Sequence, residues 1–195
     1  MLGQALAFLI ETVFNLFILT ALVRFWMQVL RAPARNPLAQ FTMALTDFAV
    51  KPLRRVLPGF FRLDLASFAV AWAAEFVLLV ILAALREVPL ANGPMLSILL
   101  LLALVKLLRL TVYIVMGAVF IQALLTWVNP YHPVAPFFEA LTRPFLKPFQ
   151  KAIPPIGGVD ITPVLVLIAC QLVLMLPVTF LEQQTLAAIA RAALP

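Results

Sequence analysis

Four long apolar segments, separated by shorter polar ones, dominate the sequence. The first runs from about Ala5 to Leu30, the second from about Leu65 to Leu85, the third over Met95–Val128 and the fourth from Ile161 to about Leu181. Each is at least as long as the roughly 20 residues that a helix needs to cross the hydrocarbon core of a bilayer. The pattern predicts an all-α membrane protein with four transmembrane helices.

The third segment is too long for one upright span. Lys106 and Arg109 divide the apolar run Met95–Val128. Two interpretations stay open: one long tilted helix, or an interfacial piece Met95–Leu108 followed by a span Leu110–Trp127.

The segments that join the spans repeat. With a shift of 96 residues, eight positions of residues 37–64 fall without a gap on identical residues of 133–160. The pairs are Pro37 and Pro133, Phe41 and Phe137, Leu45 and Leu141, Thr46 and Thr142, Lys51 and Lys147, Pro52 and Pro148, Pro58 and Pro154, and Asp64 and Asp160. The basic pair Arg54-Arg55 becomes Gln150-Lys151. Internal duplication of a two-span unit is the simplest explanation. It predicts repeats over residues 1–90 and 95–182 and a C-terminal tail, a short interfacial helix, over 183–195.

Each repeated segment is predicted to form an amphipathic helix. Apolar residues recur at helical spacing, and they are Leu38, Phe41, Leu45 and Phe48 in the first copy and Val134, Phe137, Leu141 and Phe145 in the second. The opening residues, an N-cap followed by proline, are Asn36-Pro37 and His132-Pro133. The prolines predicted to close the helices are Pro52 and Pro148. Such helices lie in the headgroup plane with the apolar side toward the bilayer.

Basic residues are concentrated in the two repeated segments. Residues 31–62 contain six Lys or Arg against one acid, residues 129–159 contain three against one, and the link 86–94 contains one of each. The positive-inside rule therefore predicts that both segments face the cytoplasm and both termini lie outside. The two repeats would then be parallel, related by an axis along the membrane normal. The basic residues expected to bind anionic headgroups are Lys51, Arg54, Arg55 and Arg62.

Composition agrees with a membrane protein and narrows the function. The 195 residues are 65% hydrophobic and 11% charged, whereas about a quarter of the residues in soluble proteins are charged. One histidine, His132, and one cysteine, Cys170, provide no metal pair, disulfide or catalytic dyad. We therefore expect no enzymatic activity and no cofactor or metal. The net charge of +6 reflects topology and not nucleic-acid binding.

Five charged residues lie at or near membrane depth, and they are Glu11, Arg24, Glu75, Lys106 and Arg109. Arg24, Lys106 and Arg109 can extend to an interface, which is the structural interpretation. Glu75 lies in the middle of its span. It is either a structural partner of Lys106 or Arg109, or an ion or proton site, and both interpretations stay open.

Two aspartates stand where spans begin. Asp64 and Asp160 are predicted to cap the second and fourth spans by accepting hydrogen bonds from free helix amides. Asp64 could also pair with Arg54 or Arg55.

These motifs resemble those of the YggT family. In the first half they are Arg24-Phe25-Trp26-Met27-Gln28, Asn36-Pro37-Leu38, Thr46-Asp47, Lys51-Pro52-Leu53-Arg54-Arg55 and Pro58. In the second half they are Leu125-Thr126-Trp127, Leu141-Thr142-Arg143-Pro144, Pro148, Pro154 and the run from Gly157 to Pro163. The resemblance covers essentially the whole chain. This sequence departs from the family in having Gln122 where an arginine is common and Gln150 in place of the first basic residue of the pair.

The resemblance implies a small bacterial inner-membrane protein. Relatives have been linked to osmotic or ion tolerance, to cell division and envelope organisation, and to assembly of a haem-bearing cytochrome b in plastids. Two functions fit these expectations. One is a non-enzymatic scaffold or assembly factor whose cytoplasmic motifs contact the bilayer, anionic headgroups and a membrane-protein partner. The other is a small channel or transporter for ions or osmolytes, which would require a homo-oligomer because four helices enclose little space.

Overall fold

Helices account for nearly all of the described chain. A computed structural model describes residues 2–57, 64–88, 93–153 and 160–192. The helices in these ranges are α1 (Leu2–Val29), α2 (Pro37–Val56), α3 (Leu65–Leu85), α4 (Gly93–Val128), α5 (Ala135–Ala152), α6 (Thr162–Val173) and α7 (Thr179–Ala192). A π-helical segment, Leu174–Val178, joins α6 to α7.

The predicted number of spans is confirmed. Among the described residues, four helical stretches are long and apolar enough to cross a membrane, and they are Gly3–Val29, Leu65–Leu85, Pro94–Val128 and Thr162–Ala192. The third is a single helix, so the interpretation that divided it at Lys106 and Arg109 is wrong. Lysine and arginine have high helix propensity, and both side chains find polar surroundings within the bundle.

The helix that contains the fourth span is longer than predicted. It does not end near Leu181 but continues through α7 to Ala192, so the expected tail is helical as far as the structure describes it. Pro177 cannot donate to the preceding turn, and the helix accommodates it by widening into the π-helical segment. There the Thr179 hydroxyl donates to the Leu174 carbonyl at 2.8 Å.

The two repeats are built alike. Helices α1, α2 and α3 correspond to α4, α5 and α6, and in each repeat the first helix packs against the other two. We call the end of the bundle that carries α2 and α5 the motif end. We call the other end, where α3 is followed by α4, the link end. There Leu79 of α3 clusters with Met95 and Leu99 of α4, and Ile189 of α7 packs against this cluster.

The two amphipathic helices begin differently. Helix α2 starts at Pro37, and the Asn36 side chain accepts a hydrogen bond from the Ala39 amide at 2.9 Å, so the predicted N-cap is confirmed. The same prediction for His132 and Pro133 is wrong, because α5 begins two residues after Pro133. The intervening residues form a turn in which an amide donates to the His132 carbonyl.

The prolines predicted to close these helices lie inside them. Helix α2 continues for four residues after Pro52, and α5 continues for four after Pro148. Each proline removes one intrahelical hydrogen bond. Tertiary packing overrides this cost, since Val50 of α2 and Leu146 of α5 are buried in the bundle beside these prolines.

The amphipathic helices also turn different residues toward the bundle. Phe137 of α5 is 3% exposed, whereas its counterpart in α2, Phe41, is 56% exposed. The buried residues of α2 are Ala39, Thr42, Thr46 and Val50. Only α5 therefore buries its predicted apolar face, and α2 keeps large apolar residues on the outer surface.

Candidate functional site

A buried arginine joins α1 to α2 at the motif end. Arg24 is 4% exposed, and its Nη1 donates to the Thr46 hydroxyl at 2.7 Å and to Asp47 Oδ1 at 2.8 Å. Its Nε is buried and makes no hydrogen bond with the described residues. Arg24 therefore does not extend to solvent, because its charge is held inside the protein by Asp47.

Asp47 carries a second cation on its outer side. Lys51 Nζ lies 2.7 Å from Asp47 Oδ2, one helical turn further along α2. The hydrogen bond from Lys51 lowers the pKa of Asp47, burial opposes it, and the hydrogen bond from Arg24 adds to the lowering. The net pKa lies below the usual value of 3.8, so Asp47 is a carboxylate shared between a buried and an exposed cation.

Arg54 and Asp64 join the end of α2 to the start of α3. The Arg54 guanidinium donates two hydrogen bonds to the Asp64 carboxylate, from Nε at 3.2 Å and from Nη2 at 2.6 Å. The Ser67 hydroxyl donates to the same carboxylate. Burial raises the pKa of Asp64, but the hydrogen bonds from Arg54 and Ser67 outweigh it and bring the pKa below 3.8. Asp64 occupies the predicted N-cap position, yet the strongest hydrogen bonds to its carboxylate come from side chains. Its alternative role as a partner of Arg54 is confirmed.

The second repeat replaces the arginine of each contact with a neutral glutamine. Thr142, the counterpart of Thr46, shares a hydrogen bond with the Gln122 side chain, so Gln122 takes the place of Arg24. Gln150 Nε2 donates to a carboxylate oxygen of Asp160 at 3.1 Å. This hydrogen bond corresponds to the contact between Arg54 and Asp64 in the first repeat. Each amphipathic helix is thus fixed at two equivalent points.

Asp160 differs from Asp64 in being exposed. It accepts hydrogen bonds from the Thr162 amide at 2.9 Å and hydroxyl at 2.6 Å, so it satisfies a free helix amide as predicted, from the position before the N-cap residue Ile161. Burial raises the pKa of Asp160, and the hydrogen bonds from Thr162 and Gln150 lower it to a net value below 3.8.

Most other predicted motif residues lie on the outer surface of the motif end. The exposed ones are Pro37, Lys51, Pro52, Arg54, Arg55, Pro133, Lys147, Pro148 and Lys151. Thr46 and Thr142 are fully buried. Pro58, Pro154 and Arg62 lie outside the described residues.

A polar cleft inside the spans collects the other predicted charges. Glu75 is buried and lies 3.8 Å from Lys106 Nζ, whereas Arg109 pairs with Glu182 of α7. The cleft has a volume of 200 Å³ and is also lined by Asn15, Leu110 and Tyr113. Glu182 was missed by sequence reasoning because it lies beyond the predicted end of the fourth span. Among the described residues, no three His, Cys, Asp or Glu side chains form a metal site.

Comparisons with known proteins agree with this architecture. The family model described as CCB3/YggT matches residues 3–85 and 101–181, once in each repeat. An uncharacterised protein of Pseudomonas aeruginosa is 33% identical over 186 residues, which cover 94% of this chain and 93% of the relative. The uncharacterised protein YggT of Escherichia coli K12 is 31% identical over 166 residues, which cover 85% of each chain. No solved structure matches.

Proposed function

This chain belongs to the CCB3/YggT family, and we propose that it is a non-enzymatic scaffold or assembly factor of the bacterial inner membrane that acts through its motif end. The observation that carries the proposal is the attachment of α2 to α1 by the buried Arg24. Since Thr46 and Asp47 are both held by one guanidinium, α2 is fixed in orientation as well as in position. A helix fixed in this way presents a constant surface to a partner.

The outer surface of α2 offers both apolar and basic groups. Phe41 is more than half exposed and Phe48 is 74% exposed. Lys51 and Arg55 are exposed along the same helix. Such a surface suits the boundary between acyl chains and headgroups, where a helix of a membrane-protein partner could also lie.

Photocrosslinking in cells tests the scaffold. A photoreactive phenylalanine analogue at Phe48 should give discrete protein adducts. The same analogue at Phe180, a phenylalanine of α7 that is also largely exposed, should give none of them. Adducts with lipid only, or the same protein adducts from both positions, would contradict the proposal.

The orientation belongs to the same proposal, with both termini outside and the motif end in the cytoplasm. In a Cys170→Ser background, Glu87→Cys at the link end should react with an impermeant maleimide in spheroplasts. Gln40→Cys on α2 should react only after the membrane is opened. The opposite labelling pattern would reverse the orientation and remove the cytoplasmic partner from the proposal.

The polar cleft supports a second candidate function, a small oligomeric channel or transporter for ions or osmolytes. Charged side chains from α3, α4 and α7 meet there, within segments that are long enough to span a bilayer. Ionisable groups at such depth are costly and commonly mark ion or proton pathways.

Neutralising Glu75 distinguishes the two functions. If Glu75 is a structural partner, Glu75→Gln leaves Lys106 unpaired and the protein should accumulate poorly. Adding Lys106→Gln should restore accumulation, and adding Arg109→Gln should not, because Arg109 pairs with Glu182. A channel would instead give a Glu75→Gln protein that accumulates normally but loses ion flux in liposomes. We expect the structural outcome.

A further inference from the structure

Each repeat contains an apolar groove between its first and third helices, beside its amphipathic helix. The groove of the first repeat has a volume of 530 Å³ and that of the second 380 Å³. The α3 residues that line the first groove are Val70, Ala73, Ala74 and Val77. The α6 residues that line the second groove are Val166, Ala169, Cys170 and Val173. Each α6 position lies 96 residues after its α3 counterpart.

The other walls repeat as well. Phe48 and Ala49 of α2 correspond to Pro144 and Phe145 of α5, again at a shift of 96. The lining residues of the first helices are Val13, Phe14 and Phe17 in one groove and Thr111, Val112 and Val115 in the other, at a constant shift of 98. Gln122 follows Arg24 by the same 98 residues. Because all three walls recur at equivalent positions, the grooves are a feature of the duplicated unit and not a packing defect of one copy.

Basic residues follow each groove along its amphipathic helix. Lys51 and Arg55 lie three and seven residues after Phe48, and a spacing of three or seven keeps side chains on one side of a helix. Both are exposed. The groove wall and the two cations therefore share one side of α2.

The second repeat keeps this arrangement. Lys147 and Lys151 lie three and seven residues after Pro144 and are exposed. In contrast, Arg54, which is bound to Asp64, has become Gln150. Positive charge is thus retained in both copies beside the groove and lost where it serves an internal contact.

We propose that each repeat binds one anionic phospholipid, with an acyl chain in the groove and the phosphate beside the two basic residues. The groove walls are almost entirely apolar, and two of the three walls of each groove belong to membrane-spanning helices, which suits an acyl chain. Two cations suit an anionic headgroup, whereas a zwitterionic headgroup would place its own ammonium among them.

The two sites differ in strength. Lys51 is partly neutralised by Asp47, at 2.7 Å. At the equivalent position the second repeat has Arg143, and within the described residues no carboxylate pairs with Lys147 or Lys151. The second site therefore holds anionic lipid more tightly than the first.

Native mass spectrometry with phosphatidylglycerol tests the groove. The protein should retain two lipids, the variants Ala73→Phe and Ala169→Phe should each retain one, and the double variant none. Ala84→Phe, at an exposed alanine of α3 outside the groove, is the matched control and should retain two. Retention of two lipids by the double variant would overturn the proposal.

Competition against phosphatidylcholine tests the headgroup. Replacing Lys147 and Lys151 by glutamine should reduce the preference of the second site for phosphatidylglycerol on the order of tenfold. The same change at Lys51 and Arg55 should have a smaller effect. Removing two charges from the same end by Arg31→Gln and Arg35→Gln should leave the preference unchanged. Equal binding of the two lipids by the unmodified protein would refute the anionic site.

Tryptophan fluorescence distinguishes a variant that loses lipid because its groove is filled from one that loses lipid because it is misfolded. Trp26 lines the second groove and remains the single tryptophan in a Trp72→Phe, Trp127→Phe background. Phosphatidylglycerol brominated on its acyl chain should quench Trp26, and Ala169→Phe should relieve that quenching. Quenching that is equal with and without Ala169→Phe, in a protein that unfolds at the same temperature, would contradict the groove.

Discussion

The two repeats fix their amphipathic helices with the same geometry and different charges. In the first repeat Arg24 binds Thr46, with Asp47 beside it. In the second repeat Gln122 binds Thr142, and the position of Asp47 is occupied by an arginine. A buried guanidinium needs a carboxylate, whereas a neutral amide does not. The acid is thus present only in the copy with the buried cation.

The aspartates that precede α3 and α6 follow the same rule. Asp64 is 5% exposed and is bound by the Arg54 guanidinium, whereas Asp160 is exposed to water and is bound by the Gln150 amide. A buried carboxylate is costly without a cation, and an exposed one is solvated. Duplication has kept the geometry of the contacts, and local burial decides which contacts carry charge.

The largest expected effect is that of removing Asp47. Asp47→Ala leaves Arg24 buried without its counter-ion, which should lower the free energy of unfolding by about 2–3 kcal/mol. This is less than for a fully buried pair, since Asp47 is 30% exposed. Arg143→Ala, at the equivalent exposed position, should change it by less than about 0.5 kcal/mol. Unfolding by denaturant in detergent measures both variants.

Exchanging charges between the copies sharpens this result. Gln122→Arg should be destabilising because it introduces an unpaired cation, and adding Arg143→Asp should recover most of the loss. Two results would show that burial does not account for the difference in charge between the repeats. One is an equal loss of unfolding free energy in Asp47→Ala and Arg143→Ala, and the other is no recovery when Arg143→Asp is added to Gln122→Arg.

A smaller effect is expected at the second contact. Arg54→Gln copies the residue of the second repeat but leaves a buried carboxylate without its cation, at a cost of about 1–2 kcal/mol. The value is limited by the exposure of the Arg54 guanidinium to solvent. The reverse change, Gln150→Arg, should stabilise by less than about 1 kcal/mol because Asp160 is exposed. Thermal unfolding of the two variants beside the parent protein compares the effects, and a gain from Gln150→Arg as large as the loss from Arg54→Gln would contradict the rule.

The smallest effect concerns pH. The folded pKa values of Asp47 and Asp64 lie below the usual 3.8. Their contribution to the free energy of unfolding is therefore complete above their pKa in the unfolded chain. It is lost as the pH falls through their pKa in the folded protein. The unfolding temperature should fall on acidification from pH 5 to below 4. Asp64→Asn should flatten this dependence more than Asp160→Asn, and a profile that is unchanged by Asp64→Asn would be inconsistent with the salt bridge.

Apolar patterning and local signals predicted the four spans and the Asn36 cap, because both depend on residues close together in sequence. The partner of Thr142 could not be found in this way. A gapless shift of 96 pairs Arg24 with Phe120, whereas the structure pairs it with Gln122, so the connecting segment of the second repeat is two residues shorter. Glu182 was missed for a related reason. Pro177 indicated that the fourth span ends nearby, and no local sequence pattern predicts that the helix widens into a π-helical segment there and continues.

The length of α4 has a consequence for the thickness of the membrane around the protein. Its 36 residues correspond to about 54 Å, against a hydrocarbon core of about 30 Å. Even a tilt of roughly 40°, the upper end of the usual range, brings only about 41 Å along the membrane normal. Some 10 Å of α4 must therefore stand outside the hydrocarbon, and the exposed Trp127 near its end is suited to the headgroup layer. The counterpart of α4 in the first repeat, α1, has 28 residues, about 42 Å, which the same tilt brings close to the thickness of the hydrocarbon core, so hydrophobic mismatch acts on the second repeat more than on the first.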